Sequence, residues 1–298
     1  MKQLKHIEFI RNNAAQGPVI CPENTAARIN KISDIRAVVF DIYGTLLSSS
    51  VGDISLSSSN NSNDALRFSL SNQGVDVLST SDSSHLNHLL LESIQCFQEK
   101  RRNEGICYPE VDIRQVWKHF LGELVTKKII TPLPADLDIE GLIISYECRV
   151  NPTQPMPGLE NTLSELHRRG LKISIISNAQ FYTTMLFDAL IGKSLNELNI
   201  CMKCAIWSYV LREGKPSKRL YELSAANLFK FYQIDPNQVL YIGNDVRNDI
   251  WPAQSVGFKT ALFAGDKLSL RRRKDDPQCK HIEADIEITQ LAQLLDCL

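Results

Sequence analysis

The stretch Ile35-Arg-Ala-Val-Val-Phe-Asp-Ile-Tyr-Gly-Thr45 decides how the chain is read. Ile35 to Phe40 is short, β-branched and apolar, which predicts a buried strand, and Gly44 lets the backbone turn sharply after it. Between them stands Asp41. A carboxylate at the end of a buried strand is costly unless it is paired or cation-bound. From this segment alone, an Asp that caps the following turn and an Asp that does chemistry both remain open.

Downstream of Pro152 and Pro155 the same kind of strand returns, now alternating with helices. Gly158 to Arg169 reads as a helix stopped by Gly170, and Ser217 to Phe231 as another. Lys172-Ile-Ser-Ile-Ile176, Gln238-Val-Leu-Tyr-Ile242 and Lys259-Thr-Ala-Leu-Phe263 read as strands, with Ala205 to Ser208 a weaker one. This alternation predicts an α/β fold, a parallel sheet covered on both faces. Ligands of such sheets bind beyond the carboxyl ends of the strands. Asp41, Ser177-Asn178 and Asn244-Asp245 each follow a strand, so one crevice is expected to collect them.

Two further fragments belong with these. Lys215-Pro216 precedes a helix, and Pro216 suits its first turn. Tyr241-Ile-Gly-Asn-Asp245-Val-Arg-Asn-Asp249 carries two carboxylates four residues apart directly after a strand. Each fragment alone is ordinary: a turn, a surface lysine, a helix cap. In order, they resemble the haloacid dehalogenase-like superfamily, whose motifs are a strand-end DxxGT, a strand-end Ser/Thr, a Lys and a GDxxxD-like acidic pair. Here these run Asp41-Ile-Tyr-Gly-Thr45, Ser177, Lys215 and Gly243-Asn-Asp245-Val-Arg-Asn-Asp249, with Pro155-Met-Pro-Gly158 and Ser177-Asn-Ala-Gln180 as matching surroundings. The resemblance spans about residues 35 to 265, less an insertion of the length of the family's helical C1 cap.

The resemblance implies a Rossmann-like core and a hydrolase in which Asp41 is the covalent nucleophile, assisted by Ser177 and Lys215. In the phosphatase branch it further implies an aspartyl-phosphate. Mg²⁺ would be held by Asp41, the Tyr43 carbonyl, Asp245 and Asp249, and substrate would be met by Tyr43, Gly44, Thr45 and Asn178. A small phosphate ester is the expected substrate. Charge supports a cation independently, because three carboxylates converging on one crevice repel. Two departures stand out. Tyr43 replaces the Asp that phosphatases carry as general acid, and its phenol is a poor acid near neutrality. Asn244 stands between Gly243 and Asp245, which is read as an insertion that keeps the Asp245–Asp249 spacing. Because metal-independent 2-haloacid dehalogenases also carry DxYGT, that reaction stays open, as does a catalytically retired scaffold that binds a ligand.

Around these motifs the chain divides into a polar, mildly helical extension (1–34), core segments (35–47 and 151–298), a Ser/Asn-rich flexible loop (48–63) and a helical cap (64–150). The cap reading rests on runs such as His88 to Ile94 and Val116 to Leu121. The 298 residues are 43% hydrophobic and 22% charged, which suits a globular protein with a real core. A net charge of −1 gives no electrostatic case for nucleic acid or an anionic membrane as partner. Arg271-Arg-Arg-Lys274, followed at once by Asp275-Asp276, reads as a solvated surface loop. Eight scattered cysteines, no apolar leader after Met1 and no long apolar run point to a cytoplasmic setting. Cys201-Met-Lys-Cys204 lacks the second ligand pair that a zinc site would want.

Overall fold

The computed structural model describes residues 2–23, 25–49, 59–78 and 85–298. Six parallel strands form one sheet in the order β3-β2-β1-β4-β5-β6: β1 Ala37–Phe40, β2 Lys172–Ser177, β3 Ile206–Trp207, β4 Val239–Gly243, β5 Lys259–Phe263 and β6 Ile286–Ile288. Successive side chains of a strand point to opposite faces. Val38 and Phe40, with Leu240 and Ile242, therefore join the core under helices α6 (Leu159–Arg168) and α7 (Thr183–Leu190). Ala37 and Val39, with Val239 and Tyr241, pack on the other face beneath α9 (Lys218–Tyr232) and α10 (Trp251–Ser255). The short α8 (Ser208–Leu211) and α11 (Leu294–Cys297) complete the core helices.

β1 is central, flanked by β2 and β4 in register. The chain runs outward from it in both directions, which makes the end of β1 the switch point where doubly wound sheets hold ligands. β6 has no counterpart in the strand expectations. Its three residues carry Glu287 in the middle, and it is completed by tertiary partners, a backbone bridge to Arg28 and an ion pair from Arg272.

Between β1 and β2 lie α2 (Ser59–Ser71), α3 (Leu86–Asn103), α4 (Ile113–Thr126) and α5 (Ile139–Val150). No strand of the sheet falls among the described residues of this insertion. α4 buries Ile113, Val116, Trp117, Phe120, Leu121 and Leu124, the stripe expected of a helix with one apolar face. The loop expected over 48–63 needs correction at both ends. Ser48 and Ser49 belong to a neck that closes the insertion: Leu47 bridges Pro155, and Ser48 exchanges hydrogen bonds with Gln154. Residues 59–63 open α2, and 50–58 lie outside the described residues.

The N-terminal extension is also more than a preface. Its helix α1 (Lys2–Asn12) packs against α7 and α5. Ile10 is buried there, His6 hydrogen-bonds Asp138 at 2.8 Å, and Arg11 donates to the Ala189 carbonyl. No helix of the described residues is long and apolar enough to cross a membrane, and all eight cysteines are free thiols.

Candidate active site

At the carboxyl end of the sheet the expected motif residues form one hydrogen-bonded chain. Asp41 leaves β1 and is buried. Its Oδ1 accepts from the Ser177 hydroxyl at the end of β2 (2.8 Å) and lies 2.8 Å from Lys215 Nζ. Lys215 reaches on to Asp249 Oδ1 at 2.6 Å, where the Tyr241 hydroxyl also donates (2.9 Å), and the Asp245 N–H donates to Asp249 Oδ2 (2.9 Å). Burial opposes the Lys215 charge, yet the Asp249 and Asp41 carboxylates outweigh it and hold the ammonium's pKa above the ordinary lysine value. Burial raises Asp249 to about 6, Lys215 pulling against it and Asp41 and Asp245 adding to it. The second oxygen of Asp41 accepts no hydrogen bond from the described residues.

Local backbone explains the positions. Gly44 has φ +83°, and a Cβ there would lie 2.6 Å from Asn244 Nδ2 and from Ser269 Cβ, so only glycine admits this turn. A Cβ on Gly243 would fall inside the Asp249 side chain. Lys215 is set by Asn178, whose Oδ1 accepts the Lys215 N–H at 2.7 Å. The helix after it begins later than expected: Pro216 precedes the Ser217 N-cap, and the Lys215–Pro216 bond is cis. Val246–Ile250 forms a π-helical turn, with the Asp245 carbonyl accepting from both Asp249 and Ile250. Such a turn places Asp249 back toward the end of β4, where it accepts the Asp245 N–H.

A cavity of about 830 Å³ opens onto Asp41. Tyr43, Lys215 and Asp245 line it from the core, Glu147 from α5, Arg102 from α3 and Ile10 from α1. Of the residues expected to meet substrate, Tyr43 and Asn178 are on its wall. Thr45 is fully buried, its hydroxyl directed to Asn244 Oδ1, and Gly44 packs on Asn244 and Ser269. Both serve the loop rather than the cavity. The Tyr43 hydroxyl pairs with Thr183 Oγ1 at 3.0 Å, and burial, only partly countered by that bond, pushes its pKa far above the usual phenol value. It therefore cannot release a proton near neutrality.

The sequence profile of the haloacid dehalogenase-like hydrolases matches residues 35–257, three-quarters of the chain and every motif residue above. The chain belongs to this family. A haloacid dehalogenase-like phosphatase from Thermococcus onnurineus is similar at 18% identity, covering 88% of this chain and 97% of its own, with a TM-score of 0.50. The L-2-haloacid dehalogenase from Xanthobacter autotrophicus with chloropropionic acid covalently bound is also 18% identical, over 87% and 96%, with a TM-score of 0.45. No curated protein matches the sequence. Likeness of fold alone does not choose a reaction for this chain.

The haloacid dehalogenase-like site was expected to hold Mg²⁺ on Asp41, Tyr43, Asp245 and Asp249. As arranged, the carboxylates do not fit the ion. Asp249 has both oxygens engaged, as given above. Asp245 Oδ1 accepts from the Arg247 and Asn248 N–H groups and from Arg273 Nε (3.0 Å), and its Oδ2 takes Arg273 Nη2 (2.6 Å). No group of three or more potential ligands forms a metal site among the described residues.

Sequence reading missed Glu147, a lone acid in the otherwise apolar turn Ile143-Ile-Ser-Tyr-Glu147. It is buried in the cavity wall, and desolvation, opposed by a hydrogen bond with Tyr182, lifts its pKa from 4.5 to about 8. The folded state keeps this proton where the unfolded chain has released it, so stability falls as pH rises between those values. Glu147→Gln should remove that slope. Above the Asp249 value, from about pH 6 to about pH 8, its thermal melts are expected to change little, where the parent loses on the order of a few kcal/mol. A parent and variant with parallel pH profiles would show that Glu147 ionises normally.

Proposed function

We propose that this hydrolase cleaves a small phosphate ester through a covalent aspartyl-phosphate on Asp41. The supporting observation is the state of Asp41, which lines a large cavity: one oxygen is held by Ser177 and Lys215, and the other accepts no hydrogen bond from the described residues. A carboxylate fixed in this way attacks with its free oxygen. The phosphorus–oxygen bond to the leaving group breaks as the bond to Asp41 forms, while Lys215 neutralises developing charge. Water then adds at phosphorus and the Asp41 carboxylate departs. Tyr43 supplies no proton, so leaving groups that are stable as anions are favoured. The cavity also supports an ester: about 830 Å³ suits a ligand much larger than a three-carbon haloacid. A cytoplasmic setting is part of this reading. The Mg²⁺ expected from the family enters no step.

A second reading has an observation of its own. Carboxylates already satisfied by protein cations, together with Tyr43, also suit metal-free carbon–halogen cleavage, in which halide leaves unprotonated. The panel that separates the two contains p-nitrophenyl phosphate, an alkyl phosphate and 2-chloropropionate, each with Mg²⁺ and with EDTA. Phosphate release is expected, faster from the aryl than from the alkyl ester by about tenfold or more. Halide release without phosphate release would reverse the choice.

A further inference from the structure

The run Arg271-Arg-Arg-Lys274 is not a solvated patch, because its arginines are placed in three different ways. Arg271 donates to carbonyls of its own loop, at Leu268 and Leu270. Arg272 forms an ion pair with Glu287 on β6. Arg273 turns to the cavity and grips both oxygens of Asp245. The loop is tied to the acidic motif through its backbone: Arg271 N–H donates to the Asn244 carbonyl (2.9 Å), and Val246 N–H donates to the Arg271 carbonyl (2.9 Å). Arg273 itself has φ +50°, a left-handed conformation that is unfavourable for a residue with a side chain. The fold holds this strained residue where its guanidinium meets the carboxylate expected to hold a metal.

We propose that Arg273 is this enzyme's built-in replacement for the divalent cation, its guanidinium occupying Asp245 and presenting positive charge to an anionic substrate in the cavity. The substrate part of this inference rests on the hydrolase reading above; the replacement of the metal does not. Guanidinium and carboxylate fit as two planar forks. Mg²⁺ instead needs near-octahedral oxygen ligands and sheds its water reluctantly. With Asp245 fully engaged, an entering Mg²⁺ would have to break two charge-assisted bonds and leave Arg273 without that partner. Lys215 does the same for Asp41 and Asp249, so two protein cations serve three carboxylates.

The test compares the full chain with Arg273→Gln by thermal melts in millimolar Mg²⁺ and in EDTA, and by p-nitrophenyl phosphate turnover in both. The wild type should melt at the same temperature and turn over at the same rate in either buffer. Arg273→Gln, folded by circular dichroism, should acquire a melting temperature that rises with Mg²⁺, since Asp245 is now open. Its turnover in EDTA should fall by about tenfold or more, with partial recovery in Mg²⁺. Stabilisation of the wild type by Mg²⁺, or no Mg²⁺ response in Arg273→Gln, overturns the proposal. If neither protein turns over any ester, the phosphatase reading fails, while the melting arms still decide whether Arg273 excludes the metal.

Discussion

Asp41→Asn is expected to reduce turnover by roughly a thousandfold or more while leaving the fold intact, because it removes the covalent step and little else. The amide keeps an Oδ1 that can accept from Ser177 and Lys215, the two contacts that position the side chain. It loses the nucleophilic charge of the unengaged oxygen. Stability should hold or rise. Among the described residues, Asp41 and Asp249 are ion-paired with Lys215 and Asp245 with Arg273, and Asp41 is one of the charges that lift Asp249 to about 6. Taking one like charge away relieves the others. Steady-state kinetics and melts check both halves, and mass spectrometry of rapidly quenched enzyme should find an adduct in the wild type alone. Residual activity above about a tenth would remove Asp41 as the nucleophile.

How much of this could be read in the chain differs by element. β1, β2, β4 and β5 are short, mostly apolar runs buried on both faces, and a strand of that kind declares itself by composition. β6 does not. Ile286-Glu-Ile288 becomes a strand by pairing with β5, and Glu287 is held there by Arg28 and Arg272, 259 and 15 residues away in sequence. α1 is similar: a weakly amphipathic polar helix whose place against α5 and α7 depends on His6 meeting Asp138 across the fold. The strand-end rule collected Asp41, Ser177, Asn178, Asn244 and Asp245 because backbone topology alone brings strand ends together, while Lys215 and Asp249 came in through the motif resemblance. It could not say what each carboxylate would touch. That depends on a loop, 265–276, which folds back over the acidic motif and delivers Arg273, and a run of arginines beside aspartates looks the same in sequence whether solvated or docked. Likewise Thr45 reads as a substrate contact by position, while its hydrogen bond commits it to Asn244; Asn178 stays on the cavity wall and also sets Lys215.

Replacing Lys215 by methionine should cost more stability than any other single change at the site, by an amount that depends on pH. Lys215 is buried, and its ammonium lies 2.8 Å from Asp41 and 2.6 Å from Asp249. Methionine fills much of the same volume but leaves both carboxylates out of water with less compensation. Breaking a buried pair in this way costs about 3–5 kcal/mol. Lys215 is also the largest influence holding Asp249 down against burial, so without it the Asp249 pKa must rise further above about 6. A carboxyl whose folded pKa is raised destabilises the fold above its unfolded value of 3.8, up to the folded pKa. Lys215→Met should therefore be most unstable near pH 8 and recover as pH falls through the folded pKa and Asp249 binds a proton. Urea unfolding followed by circular dichroism at the two extremes measures this. A constant deficit across pH would mean that Asp249 is not the group Lys215 neutralises, and that lost packing accounts for the destabilisation.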